Sequence, residues 1–460
     1  MNDRRDVLKQ LGIGGILGLL SSGKTHAQQK KPSQIRGVVF IVSDGMSPGV
    51  LTLSQAFSQQ IRKTDTCWWQ LLQRQDTVKG LMDTASANSL VTDSAAASSS
   101  WGSGQRVNNG MINVTPNGTF LEPIAVTLQK RGIRTGLVST ATITHATPAG
   151  FAANVASREN EESIATQYLN RVDLLFGGGE KFFDPAKRSD KKDLWSEYRA
   201  AGYGVARNAA ELAALPTGKM LGVFSEGHLP FSLDRKQDES LKKNVPELSV
   251  MAAKALGEML NKDQRFLLQI EGARIDHAAH LNDIAGLLHD QLALDDALAV
   301  VIKMLARRDD VLVIVTSDHG NSNPGLNGMG ASYQRTNQHF SRIADISASF
   351  EKIQSDLAAG KITDIAAYIQ RKTGYLLDQK EAKALRASMK NEEITEWNHL
   401  LATPQGLLGQ MLGNHTGVGW TGSVHTSDPT LITAFGPESS RFNGLVKNSD
   451  VHGHLLEVLA

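Results

Sequence analysis

Five short apolar runs, rich in β-branched residues, each stop abruptly or open on a polar residue able to bind a ligand. Val38-Val39-Phe40-Ile41-Val42 ends at Ser43-Asp44-Gly45, Phe266 to Ile270 at Glu271, and Val311 to Val315 at Thr316-Ser317-Asp318-His319. Gly136 to Thr140 leads to His145, and Leu431 to Phe435 follows His425. Runs without polar alternation suit strands buried on both faces. Helical patterns at 122–131, 247–260 and 282–307 lie between them. Strands alternating with helices predict an α/β fold, a large mostly parallel sheet flanked by helices on both faces. Ligands bind beyond the carboxyl ends of such strands. Three of the five runs carry acidic or histidine residues just past that end, which is the main structural clue to a site.

Residues 343–412 depart from this grammar. Ile343, Ile346, Phe350, Ile353 and Leu357 repeat at helical spacing before Gly360, and Ile362 to Ile369 and Lys380 to Leu385 continue as helix candidates. The segment reads as a helical insertion: a solvated appendage, a dimer contact or a lid.

The single cysteine, Cys67, excludes an intramolecular disulfide and a cysteine-based zinc site, so a metal would have to be held by histidines and carboxylates. A net charge of +1 gives no field to recruit nucleic acid or an anionic membrane. The N-terminus reads as an address. Arg4, Arg5 and Lys9 precede an apolar stretch from Leu11 to Leu20, and Thr25-His26-Ala27 resembles a cleavage site. Arg4-Arg5-Asp6-Val7-Leu8-Lys9 looks like a twin-arginine signal. The expected division is an export signal at 1–27, a linker at 28–36 and one domain at 37–460. The mature protein is expected to be periplasmic or secreted, with no stable membrane insertion.

Several motifs carry chemistry. In Thr92-Asp93-Ser94-Ala95-Ala96-Ala97, a serine at a helix start presents its hydroxyl at the positive dipole end, although Asp93 or Ser94 could equally be a simple helix cap. Asp276 and His280 are four apart, one helix face, directly after Glu271. A carboxylate and an imidazole at that spacing can grip one metal ion. Asp318-His319 and Asp44 stand just past strand ends.

Together these segments resemble the alkaline phosphatase family. Asp44-Gly45-Met46, Thr92 to Ala95, Thr144-His145-Ala146-Thr147-Pro148, Ser157-Arg158, Glu271 to His280, Thr316 to His319 and Gly422 to Thr426 occur in that family's order and spacing, from about residue 37 to 445. The resemblance implies a three-layer sandwich and hydrolysis of phosphate monoesters through a phosphoserine at Ser94. It implies one zinc on Asp276, His280 and His425, a second on Asp44, Asp318 and His319 beside Ser94, and a magnesium on Asp44, Thr147 and Glu271. Arg158 would clamp phosphate oxygens with Asp93 orienting it, and His145 and His277 would stand beside the ligands. Two such ions about 4 Å apart suit an in-line displacement. A homodimer is also implied. The alternatives are a phosphodiesterase or sulfatase on the same metal core, or a metal-loaded phosphate-binding protein. Departures from the family pattern are Ser47 after Asp-Gly-Met and Gly320-Asn321 after Asp318-His319. His145 and His277 stand where some bacterial members have Asp and Lys, so the third site is expected to take zinc or cobalt as well as magnesium. His415 is a rival to His425 as the last ligand.

Overall fold

The structure, a computed structural model, describes residues 35–392, 394, 398, 401 and 403–460. The expected export signal, and all but the last two residues of the expected linker, lie outside the described residues. Ten strands form the main sheet: β1 (Gly37–Ser43), β2 (Val78–Met82), β3 (Arg134–Thr142), β4 (Leu174–Gly178), β5 (Tyr203–Ala206), β6 (Lys219–Val223), β7 (Phe266–Gly272), β8 (Val311–Thr316), β9 (Thr430–Phe435) and β10 (Gly444–Val446). Their order is β10-β2-β9-β8-β1-β7-β3-β4-β6-β5. Every pairing among them is parallel except those of β9, which runs antiparallel to β2 and β8.

The two-residue period of a strand explains the layers. Val39 and Ile41 of β1 join one apolar core with Leu268, Ile270, Val313 and Val315. Val38, Phe40 and Val42 join a second core on the other face with Leu267, Leu312 and Ile314. Each such side chain is fully or almost fully buried. At about 1.5–3 kcal/mol for each fully buried large apolar side chain, these central strands anchor both faces of the sheet.

Register then fixes where the acidic residues emerge. Val42 of β1 pairs with Glu271 of β7 on one side and Thr316 of β8 on the other. Asp44 and Asp318 each lie two residues beyond their member of this pair, so three carboxylates reach one edge together.

Five helices matter to that edge: α1 (Ser94–Ser103), α2 (Ala146–Ala152), α3 (Arg274–His280), α4 (Ile284–Leu305) and α5 (Phe350–Ala358). α1 and α2 approach so closely that a Cβ on Gly102 would meet the Gly150 carbonyl oxygen at 1.8 Å. Only glycine permits that contact, which packs α1 directly against α2. The described residues of 343–412 add no strand to the main sheet. Four helices, α5, Ile365–Thr373, Gln379–Met389 and Pro404–Thr416, cover a separate apolar cluster that includes Phe350, Ile353, Tyr368, Ile369, Leu385, Leu407 and Leu408.

Candidate active site

The site grows from the ends of β1, β7 and β8 and the starts of α1 and α3. Asp44 follows β1 and is fully buried. The next residue, Gly45, has φ +65°, and a Cβ there would stand 2.3 Å from Oδ1 of Asp276. A tight left-handed turn against a neighbouring carboxylate requires glycine on both counts. The Gly45 amide donates to Asp318 Oδ1 at 3.1 Å, and the Met46 amide to Ser317 Oγ at 2.9 Å. Two strand ends are thus stitched together before any ligand is considered.

Asp93 caps α1, accepting from the Ala96 amide at 2.9 Å. Its other oxygen accepts from the Gly110 amide at 3.0 Å and from Arg158 Nη1 at 3.1 Å. One residue therefore serves as helix cap and as anchor for the guanidinium. Ser94 begins α1, is 1% exposed, and its Oγ lies 3.1 Å from His319 Nε2. On α3, His280 Nε2 is 3.3 Å from Asp276 Oδ2. His425 Nε2 lies 3.0 Å from His280 Nε2 and 3.6 Å from Asp276 Oδ1.

Two of these imidazoles have assigned tautomers. His280 Nδ1 donates to the Ser423 carbonyl and His425 Nδ1 to the Thr92 carbonyl, each at 2.8 Å. A carbonyl only accepts, so each Nδ1 carries a proton and each Nε2 is the nitrogen directed into the cluster, the one that would face a metal. That is how protein-bound metals orient their histidines.

Among the described residues, three groups each bring their potential ligand atoms within 4.8 Å of one another: Asp276, His319 and His425; Asp44, Asp318 and His319; and Asp44, His145 and Glu271. Both Asp44 carboxylate oxygens, Asp318 Oδ2, Glu271 Oε1, Thr147 Oγ1 and His145 Nδ1 are buried without a partner of hydrogen-bond geometry. Buried polar atoms left unpaired are costly, and so many in one place fit cations that the chain itself does not supply.

Electrostatics agree. Burial, reinforced by the charges of Asp318, Asp276 and Glu271, holds the Asp44 carboxyl well above its usual range. Asp318 is pushed up to about 7, by burial and then by Asp276. Burial also opposes charge on Asp276, but His280, His425 and His319 outweigh it and hold that carboxylate low. Burial opposes charge on His280 too, yet Asp276 lifts it to about 9.

Chemistry of this kind has relatives. The family model described as alkaline phosphatase matches residues 35–460. The chain belongs to the alkaline phosphatase family. Alkaline phosphatase 3 of Bacillus subtilis (strain 168) is 29% identical over 460 residues, covering 96% of this chain and 94% of that one. The crystal structure of Thermus thermophilus alkaline phosphatase superposes with a TM-score of 0.86 at 32% identity, covering 96% and 95% of the two chains. A cold-active alkaline phosphatase from a Shewanella species gives a TM-score of 0.77 at 28% identity, covering 92% of this chain and all of that one. As a member of the alkaline phosphatase family the chain is a hydrolase of phosphate monoesters.

All the site residues expected from the sequence gather at this edge. His145, expected beside the ligands, brings a ring nitrogen into the group formed by Asp44 and Glu271. Its Nε2 accepts from Arg158 Nη2 at 2.9 Å. His277 packs edge-on to His145, with ring centroids 5.5 Å apart. His415 lies elsewhere, near the end of Pro404–Thr416, where its carbonyl accepts from Arg342.

Four contributors were not anticipated. Asn321 donates to Asp276, and Ser47 exchanges hydrogen bonds with the Asn321 backbone at 2.9 and 3.0 Å, so both departures from the alkaline phosphatase pattern meet in one contact. Ser139 donates to Glu271 Oε2 at 2.5 Å, its neighbour across the β3–β7 pairing. His228 accepts from the Thr142 amide at 3.0 Å and lies against His277, centroids 4.5 Å apart. It follows β6, whose sequence Lys-Met-Leu-Gly-Val gives a weak strand signal.

Proposed function

We propose that hydrolysis proceeds through a phosphoserine at Ser94 in a site holding two zinc ions and one further ion. Asp276, His280 and His425 would hold the first zinc and Asp44, Asp318 and His319 the second. Asp44, Glu271 and Thr147 would hold the third ion, magnesium or, with His145 close by, zinc or cobalt. Bound there, such ions supply Lewis acidity and offset the charge of the carboxylates and of the phosphoryl group.

The residues perform the rest. Arg158, steadied by Asp93, offers a planar fork that matches two phosphate oxygens. Ser94, at the start of the ten-residue α1, has the positive end of the helix dipole behind it. Its Oγ forms a bond to phosphorus as the bond to the ester oxygen breaks, and the proton released by the hydroxyl is matched by the one the departing alkoxide takes up. Water then attacks the phosphoserine, the Oγ–phosphorus bond breaks, a proton from that water returns to Oγ, and inorganic phosphate leaves.

The observation that carries this reading is the set of unpartnered buried carboxylate oxygens beside Ser94 and its neighbour His319. The test is metal analysis of purified protein with hydrolysis of a chromogenic phosphate monoester before and after chelation. Zinc in the protein and activity lost on chelation and restored by zinc are expected. Full activity in metal-free protein would overturn the reading. Arg158 favours monoesters over the diesters or sulfate esters of the alternative enzymes, so the rate ratio on a monoester and a diester distinguishes them.

The proposal extends to export through the twin-arginine route to the periplasm or beyond, and to a homodimer. Among the described residues no helix is long and apolar enough to cross a membrane. Replacing Arg4 and Arg5 with Lys should retain active enzyme in the cytoplasm.

A further inference from the structure

Arg274 lies inside the metal-ligand block yet has no part in the reaction described above. Its side chain is 2% exposed, and its guanidinium sits 3.7 Å from the centroid of the Phe231 ring. Nη1 donates to His277 Nδ1 at 2.8 Å, and Nη2 donates to Glu351 Oε2 at 2.7 Å. Glu351 belongs to α5, in the segment 343–412, and its side chain is 55% exposed.

The start of α5 is fixed from two further directions. Asp234 accepts from the Ser349 amide at 2.9 Å and from Ser349 Oγ at 2.5 Å. Asp283, the cap of α4, accepts from the Phe350 amide at 2.8 Å while accepting from the Gly286 amide at 2.9 Å. The carboxylate of Glu351 is therefore presented to Arg274 by a helix end that cannot easily drift.

A guanidinium has donors and no acceptor. His277 Nδ1 must then hold a lone pair, and the proton of the neutral ring must sit on Nε2. Without that donor the two tautomers compete and the ring is free to turn. The held ring packs edge-on to His145 at 5.5 Å, and His145 accepts from Arg158 at 2.9 Å.

We infer that Arg274 is a positioning residue through which the helical segment 343–412 controls the active site: Glu351 holds Arg274, Arg274 fixes the tautomer and orientation of His277, and His277 presents Nε2–H beside the phosphate-binding residues. The segment is thus a working part of the site. The inference rests on the proposed phosphate site at Arg158.

The test uses the full metal-loaded protein with 15N-labelled histidine. Two-bond nitrogen–proton correlation spectra should show His277 as the Nε2–H tautomer. In Arg274→Met that signature should be lost, and Arg274→Lys should restore it by supplying one donor. In Glu351→Gln, a change at an exposed position, the melting temperature and metal content should stay unchanged. KM and the inhibition constant for inorganic phosphate should both rise by about threefold or more, the scale of one partly exposed ion pair, with kcat altered less. In a His277→Ala background the effect of Glu351→Gln should vanish. An unchanged tautomer in Arg274→Met, an unchanged phosphate inhibition constant in Glu351→Gln, or an effect that persists without His277 would each overturn the inference. Should Arg274→Met fail to fold, the Glu351→Gln arms decide alone. Should phosphate fail to inhibit the parent protein, the proposed site falls, while the spectra still judge the role of Arg274.

Discussion

Nδ2 of Asn321 donates to Oδ1 of Asp276 at 2.7 Å, joining the turn after β8 to α3. Asn321 also pairs with His425 across a short antiparallel ladder, and its backbone is held in turn by Ser47. Partners that orient a metal-binding carboxylate matter nearly as much as the carboxylate itself. Asn321→Ala should lower zinc affinity by about 10- to 100-fold while leaving the fold intact. Competition against a chromophoric chelator measures it, and an unchanged affinity would remove Asn321 from the site.

If Ser94 is the attacking group proposed above, Ser94→Ala should abolish the phosphoenzyme and lower kcat by about a thousandfold or more while keeping the metals. Acid quenching with labelled phosphate would reveal the covalent species. Label on any other residue would displace Ser94 from its role.

His145→Asp with His277→Lys should shift the third site toward magnesium and tighten inhibition by phosphate by about threefold or more. A carboxylate at 145 adds an oxygen ligand of the kind magnesium prefers, and a lysine at 277 adds positive charge beside the anion. Metal content and the phosphate inhibition constant are the measurements, and no change in either would leave both histidines as packing groups.

Burial pushes the Asp283 carboxyl up to about 7, despite two backbone amides that favour its charge. An unfolded aspartate titrates near about 3.9. The folded state therefore binds the proton more tightly, so this group favours folding at low pH, and the contribution fades as pH rises from about 4 to about 7. Asp283→Asn should flatten that part of the profile. Urea unfolding of both proteins at about pH 5 and about pH 8 checks it, and parallel changes would argue against Asp283 as the source.

Legibility in the sequence followed continuity. β1 and β8 are almost unbroken apolar runs, and β7 is broken before its end only by Gln269, because both faces are covered, and the residues that close or follow them mark the site. β2, with Lys79 and Gly80, and β5, with Gly204, are short and interrupted, so half the sheet left little trace. Asp44, Asp318 and the Asp276–His280 pair were readable because a strand end or a helical turn brings each into place locally. The contacts of Arg274, Asn321 and His228 were not, since each depends on a partner from a distant element: Glu351, Asp276 and Thr142. Spacing along a chain carries no record of such meetings.

The ligand groups are scattered from Asp44 to His425, and they meet only when β1 lies between β7 and β8. During synthesis Asp44 emerges early, but the group it shares with Asp318 cannot exist until β8 has been made, and the group that includes His425 must wait almost to the end. The candidate ligand groups are therefore complete only in a chain that carries the strands from β1 to β8 together with His425, and a fragment that stops short of His425 lacks one of them.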